Sequence, residues 1–275
     1  MKKVFKTKNF SRALFIIAVV AFSSCEKIIT IDLKTADSQI VVQGNVTSLA
    51  GPYVVNLNST VSYYSSNSFP TVTGAQVNIS DNAGNNELLT EASPGVYKTS
   101  LLSGTPGRIY SLQIVANGKT YTASSTMAMP LPVDSFLLQP TFSKMTNTIN
   151  GYRVICKFTD PAGLGNHYRI VINSRDTMAI GNRTSRIVSD KFTDGQQLSV
   201  TFRTRLVSGD TVGIQLQCID KNTYDFYNTL NNAVGSSSLN QFLAALPANP
   251  INNISNKGLG YFAAYSVTTA TMVVP

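Results

Sequence analysis

From residue 39 onward the chain mostly alternates apolar and polar positions with a two-residue period, in short runs divided by turn residues. That is the pattern of half-buried β-strands. The first run, Gln39-Ile40-Val41-Val42-Gln43-Gly44-Asn45-Val46-Thr47, is rich in β-branched residues, and similar runs follow at 53–60, 75–80, 87–90, 96–99, 109–116 and 120–125. Pro94-Gly95, Pro106-Gly107 and Asn117-Gly118 punctuate them. Asn117-Gly118 is the sharpest hairpin signal, because a type I′ turn needs positive φ at both central residues. So many short strands in so short a span predict an immunoglobulin-like or transthyretin-like β-sandwich over residues 38–130. Met127-Ala128-Met129-Pro130-Leu131-Pro132 then breaks the pattern with two prolines that cannot donate to a ladder, which sets a domain boundary there.

Strands resume at 133–139, 152–159, 168–174, 185–188, 198–203 and 212–219, giving a second β-rich domain over 131–275. Only between 222 and 246 does the period lengthen. Tyr224, Tyr227, Leu230 and Val234, then Leu239, Phe242, Leu243 and Leu246, recur at three-to-four spacing and predict two short helices. Asn222 or Thr223 is the expected cap, with Asp225 in the first turn. Residues 260–267 and 271–274 are expected to close the chain as a strand pair.

Residues 1–24 are of a different kind. Lys2, Lys3, Lys6, Lys8 and Arg12 precede the apolar run 13–22, which ends in Ser23-Ser24-Cys25. Ten apolar residues as a helix span roughly 15 Å, half the hydrocarbon thickness of a bilayer, so the run fits a signal peptide and not a membrane span. The small-small-Cys ending resembles a bacterial lipobox, in which Cys25 becomes the acylated first residue of the mature chain. Residues 25–37 are then a tether. Each buried methylene contributes about 0.8 kcal/mol, and stable anchoring needs more than one chain, as a triacylated cysteine supplies.

The leader also changes the meaning of the charge. The chain carries 22 Lys+Arg, 14 Asp+Glu and one His, a net +8, and the five basic residues before Cys25 reduce this to +3 when they are removed. A phosphate-tracking surface needs clustered basic residues on a folded face, so nucleic acid is excluded as a partner. Two cysteines remain. Cys156 alternates in phase with Val154 and Phe158, and Cys218 with Ile214 and Leu216, so both thiols point inward. Spacing alone leaves a Cys156–Cys218 disulfide and two separate buried thiols equally open.

No catalytic constellation emerges. His167, the single histidine, lies in phase with Arg169 on the polar face of its strand, and no nucleophile elbow accompanies it. No His/Cys spacing fits zinc, and Asp81-Asn82-Ala83-Gly84-Asn85 lacks the ligands of a calcium loop. Asp160, before Pro161-Ala162-Gly163, and Asp194, before Gly195, suit Asx turns. The reading is therefore no enzyme, no metal and no cofactor. Tyr53, Tyr63 and Tyr64, beside Ser65-Ser66-Asn67-Ser68, form a candidate ligand loop, with the edge of the sandwich core as the plainer account.

Gly74-Ala75-Gln76-Val77-Asn78-Ile79-Ser80-Asp81, with Gly84 and Pro94-Gly95-Val96-Tyr97, resembles the carboxypeptidase-regulatory-like sandwich found before outer-membrane transporter barrels. Further stretches carry a wider resemblance. They are Asp160-Pro161-Ala162-Gly163, Asn166-His167-Tyr168-Arg169, Gly209-Asp210-Thr211-Val212 and, most specific, Asn256-Lys257-Gly258-Leu259-Gly260-Tyr261-Phe262-Ala263-Ala264-Tyr265-Ser266. With Ser24-Cys25-Glu26-Lys27 they resemble the Bacteroidetes lipoproteins catalogued as domain of unknown function 4249, in which Tyr usually stands where this chain has His167.

The resemblance implies an outer-membrane-associated lipoprotein, a non-catalytic accessory or binding subunit beside a TonB-dependent transporter, with no known reaction. A stand-alone glycan- or peptide-binding surface lipoprotein is the alternative, and an envelope hydrolase comes third. Glu26-Lys27-Ile28-Ile29 is not the acid-rich stretch of surface export in that phylum, which favours the periplasmic face. Asp176-Thr177-Met178 and Asp210-Thr211-Val212 look like the phylum's O-glycosylation sequon, making Thr177 and Thr211 candidate modification positions.

Overall fold

Alternation becomes strands almost everywhere it was expected. The structure, a computed structural model, describes residues 37–61, 69–174, 184–235 and 249–275. Cys25 and its leader, Tyr63, Tyr64, Thr177 and the second helical run lie outside the described residues.

Strands β1 (Ile40–Thr47), β2 (Val54–Ser59), β3 (Gln76–Asp81), β4 (Asn86–Leu88), β5 (Thr90–Ser93), β6 (Val96–Lys98), β7 (Ile109–Ala116) and β8 (Lys119–Thr126) come first. Then follow β9 (Ser135–Phe142), β10 (Ile149–Thr159), β11 (His167–Ser174), β12 (Ser185–Ser189), β13 (Gln197–Thr204) and β14 (Thr211–Ile219). Helix α1 (Lys221–Gly235) and strand β15 (Leu259–Val273) complete the order.

Three sheets result. An eight-stranded sheet runs β12-β11-β14-β15-β1-β2-β6-β5, and it is backed at one end by β4-β3-β7-β8 and at the other by β13-β10-β9. Two cores lie between these layers. The first gathers Val42, Val55, Leu57, Val77, Ile79, Ile114 and Phe262; the second gathers Val154, Phe158, Ile170, Ile214, Leu216 and Phe202. Ser38–Pro275 nonetheless forms one compact unit.

The joint is β15. The expected closing strand pair is instead one strand of 15 residues. Its first half pairs in parallel with β1, from Val41↔Leu259 to Thr47↔Tyr265, and its second half pairs antiparallel with β14, from Cys218↔Ser266 to Thr211↔Val273. The physical reason is local: between Tyr261 and Val274 there is no Gly, Pro, Asn or Asp to turn the chain, and Thr268-Thr269 favour extended backbone.

The helix also begins differently. Its cap is Asp220, not Asn222 or Thr223, since the Asp220 carboxylate accepts the Thr223 amide at 2.9 Å and its carbonyl accepts the Tyr224 amide. The same carboxylate accepts the Ser125 hydroxyl at 2.8 Å and the Thr126 amide at 3.2 Å, so α1 is tied to the end of β8. Asp225 is left to pair with Lys221 one turn earlier.

Candidate functional site

The outward positions of β3, β7 and β8 carry Gln, Asn, Ser, Thr, Ile and Val, without an ionisable side chain. Strand register arranges the polar ones in rows. Ser80, Ser111 and Ser124 are cross-strand neighbours, and Asn78, Gln113 and Thr122 form the adjacent row. Residues 252–255 rise beside β8 as a wall, and wall and face enclose an open groove of about 690 Å³.

The wall is fixed by hydrogen bonds. Ser255 donates its amide to the Thr122 carbonyl and accepts the Thr122 amide on Oγ, at 2.9 and 2.7 Å. Asn253 donates to the Ser124 carbonyl at 3.1 Å and to the Phe262 carbonyl at 2.7 Å, and accepts the Phe262 amide. The outer edge of β8 is therefore already occupied. By contrast the side chains of Ser80, Ser111, Gln113 and Ser124 have no hydrogen-bond partner among the described residues, so their donors and acceptors face the groove free.

A second cavity, about 570 Å³, lies where the two cores meet, between Met129, Leu131, His167, Tyr168, Cys218 and Asp220. Its polar groups are largely committed. Asp220 holds the helix cap, and Asn166 donates its carboxamide to the Gly163 carbonyl at 2.8 Å. Burial raises the Cys218 thiol above its ordinary value, which disfavours the thiolate a nucleophile needs.

His167 does lie on the polar face of β11, and both it and Arg169 are half-buried there. Helix α1 covers that face, with the Tyr224 ring 4.7 Å from the imidazole and Tyr227 under the Arg169 guanidinium at 4.3 Å. Nδ1 of His167 is buried without a partner among the described residues.

Cys156 and Cys218 are both buried, and they stand as free thiols in place of the disulfide left open by spacing. Each is placed by its own sheet: Cys156 is flanked across β10 by Val200 and Phe136, and Cys218 across β14 by Tyr168 and Ser266. Burial, then the Asp134 carboxylate, pushes the Cys156 thiol up to about 11.

Tyr53 leaves the candidate ligand loop. It is 5% exposed, donates its hydroxyl to the Leu49 carbonyl at 2.8 Å and accepts the Gly104 amide at 2.7 Å, so it is a core residue that closes two loops. Thr211 is exposed at the first position of β14, just after the turn that Asp210 closes through the Val207 amide.

Among the described residues, the carboxylates grouped closely enough to take a cation are Asp160, Asp190 and Asp194, whose oxygens lie within 4.8 Å of one another. Asp160 accepts the Tyr168 hydroxyl and the Gly195 amide, Asp190 accepts the amides of Gly165 and Asn166, and Asp194 accepts the Gly163 amide. Asp160 and Asp194 thus tie two distant loops to one another, their donors 35 and 31 residues away in sequence, in place of the local Asx turns expected from their sequence context. Asp190, within Ser189-Asp190-Lys191, carries no turn signature and was not singled out. The groove residues were missed too, because three strands separate β3 from β7 in sequence and only the sheet order brings their uncharged faces together with that of β8.

Comparison with known proteins adds a family and little chemistry. No curated protein matches the chain. Among solved structures, a two-domain fibronectin type-III segment from chicken tenascin aligns with 66% of this chain and 91% of its own, at 13% identity and a TM-score of 0.20. The model of the family described as "Domain of unknown function (DUF4249)" matches residues 26–271, a span that takes in the first core, all of the second but Val274, and nearly all of the strand they share. The chain belongs to the DUF4249 family.

Proposed function

We propose that this protein is a lipid-anchored, non-catalytic binding subunit of the cell envelope, acylated at Cys25 and held at the outer membrane beside a TonB-dependent transporter. The observation that carries the binding role is the groove on β3, β7 and β8. It is ligand-sized, it presents unpaired donors and acceptors, and no acid, base or thiol lines it. Binding without bond-breaking is the chemistry such a lining supports.

The anchor rests on the leader that ends at Cys25, and the transporter partner rests on the family resemblance. Chemical crosslinking of intact cells, followed by affinity capture of this chain and identification of what comes with it, tests the partner. A barrel transporter in the captured complex is the expected result; capture of the chain alone refutes the partnership. Mass spectrometry of the mature protein should find a triacylated Cys25. Protease treatment of whole cells should leave the chain intact, as the periplasmic face requires.

A further inference from the structure

We infer that the groove binds a neutral oligosaccharide laid across β3, β7 and β8. The inference rests on the binding role proposed above and names the ligand class for that site. Three observations lead to it.

The first is charge. The outward residues of three adjacent strands and the wall at 252–255 offer no ionisable side chain, whereas solvated strand faces ordinarily carry Lys and Glu. A charged ligand would find no counter-charge here and would lose hydration without recompense. The occupant is uncharged.

The second is the form of the polar groups. Hydroxyls and carboxamides both donate and accept, and they stand in two rows, Ser80-Ser111-Ser124 and Asn78-Gln113-Thr122; Ser80, Ser111, Ser124 and Gln113 are free among the described residues, while Asn78 donates to Asn86 and Thr122 to Ser255. Neighbouring strands set about 4.8 Å between members of a row, and alternate residues set about 7 Å between rows. Sugar hydroxyls also donate and accept, and they are presented around a ring at comparable spacing, so each row can engage one residue of a saccharide chain.

The third removes the rival polymer. An extended peptide binds a sheet chiefly by adding a strand to an open edge. Here Ser255, Asn253 and Asn256 already bond the outer edge of β8, the last through the Thr120 carbonyl, so the groove offers a face and no ladder.

The test uses the acylated full-length mature protein in detergent, titrated with maltohexaose, cellohexaose and mannohexaose. Hexagalacturonate serves as the charged control and an uncharged Ser/Thr/Gly dodecapeptide as the peptide control. Saturation-transfer NMR and calorimetry read binding. At least one neutral hexasaccharide should bind, with a Kd on the order of 1 mM because no aromatic platform is present.

Ser111→Lys, an exposed change in the centre of the groove, should weaken that binding at least ~tenfold. Ser199→Lys, exposed on β13, should leave it unchanged. Failure of every neutral sugar to bind, binding indifferent to Ser111→Lys, or Ser111-dependent binding of the peptide would each overturn the inference. So would a dimer dissolved by Ser111→Lys, since a second copy would then fill the groove. Capture of the transporter is measured separately. Loss of sugar binding with capture intact overturns the ligand class alone, and sugar binding without capture overturns the partnership alone.

Discussion

Gly260 lies at the start of β15, the joint between the two cores, and replacing it with Ala is a quantitative test of that joint. Its φ is +94°, a region that costs an L-residue roughly 1–2 kcal/mol. A Cβ there would lie 1.9 Å from the Val42 carbonyl oxygen and 2.8 Å from the carbonyl carbon. Val42 and Gly260 are register partners in the parallel β1–β15 ladder, so the contact is backbone on backbone and no side chain can swing away. Relief requires β15 to withdraw from β1, loosening one or two ladder bonds at about 1 kcal/mol each. The expected total is about 2–4 kcal/mol, which lowers the melting temperature on the order of 10 °C for a chain of this size.

Gly84→Ala is the matched control. Its φ is +90°, and nothing lies within 4 Å of the added carbon, so only the dihedral cost, roughly 1–2 kcal/mol, applies. Thermal and urea unfolding of both variants, followed by circular dichroism, should separate them by about 1–2 kcal/mol, with Gly260→Ala the weaker. Equal losses in the two variants would refute the close approach of β15 to β1, and with it the account of how the cores are joined.

Three further outcomes follow from single groups. Burial would raise the Asp81 carboxyl, but hydrogen bonds from the Asn85 side chain and amide, Arg108 and the Ala83 amide outweigh it and hold it at about 2 against an ordinary 3.8. Its contribution, about 2 kcal/mol, is present above pH 3.8 and lost as pH falls through about 2. Asp81→Asn should flatten that limb in urea titrations at stepped pH, and an unchanged limb would remove the assignment. With Cys156 at about 11, roughly a thousandth of it is thiolate at pH 8, so Ellman's reagent should label neither thiol in the native protein and both after guanidinium unfolding; native labelling would contradict the buried placement. Asp220→Ala removes the cap of α1 and its bonds to Ser125 and Thr126, and should cost about 2–3 kcal/mol with loss of helical ellipticity, whereas an Asn222 or Thr223 cap would leave it mild.

Alternation located nearly every described strand, because a sheet with one face on a core forces period two on the sequence. The Asn117-Gly118 hairpin formed with φ of 50° and 72°, as its turn type requires. The misses share another cause. Whether β15 is one strand or two depends on which partner its second half meets, and β14 is some fifty residues away in sequence. Asp220 lies just past the run at 212–219 and was passed over as the cap, because that role depends on the helix that follows and on β8 more than ninety residues before. Tyr53 stood open between a ligand loop and the edge of the sandwich core, the plainer account and the one that holds, since its two partners, the Leu49 carbonyl and the Gly104 amide, are main-chain groups that leave no trace in side-chain pattern. His167 was placed on the correct face, yet only tertiary packing reveals that α1 lies over it.

The stretch that most specifically carries the family resemblance is explained almost wholly by architecture. Asn256 and Lys257 adopt left-handed φ of 53° and 60°. Gly258 admits no Cβ, which would meet Ile254 Cγ2 at 2.5 Å, and Gly260 lets β15 start against Val42. Phe262 fills the first core while its amide and carbonyl are clamped by Asn253, and the Ala264 amide bonds the buried Ser125 hydroxyl. The same residues that begin the shared strand therefore raise the groove wall and close the edge of β8. A sequence signature made of turn and packing demands identifies a scaffold, and it leaves the chemistry to positions it does not touch. On this scaffold those positions are the outward side chains of β3, β7 and β8, which can change without disturbing either core. Under the binding role proposed above, ligand class is thus decoupled from fold: the wall and the sealed edge would direct a ligand onto the face, and the residues on the face would select which one.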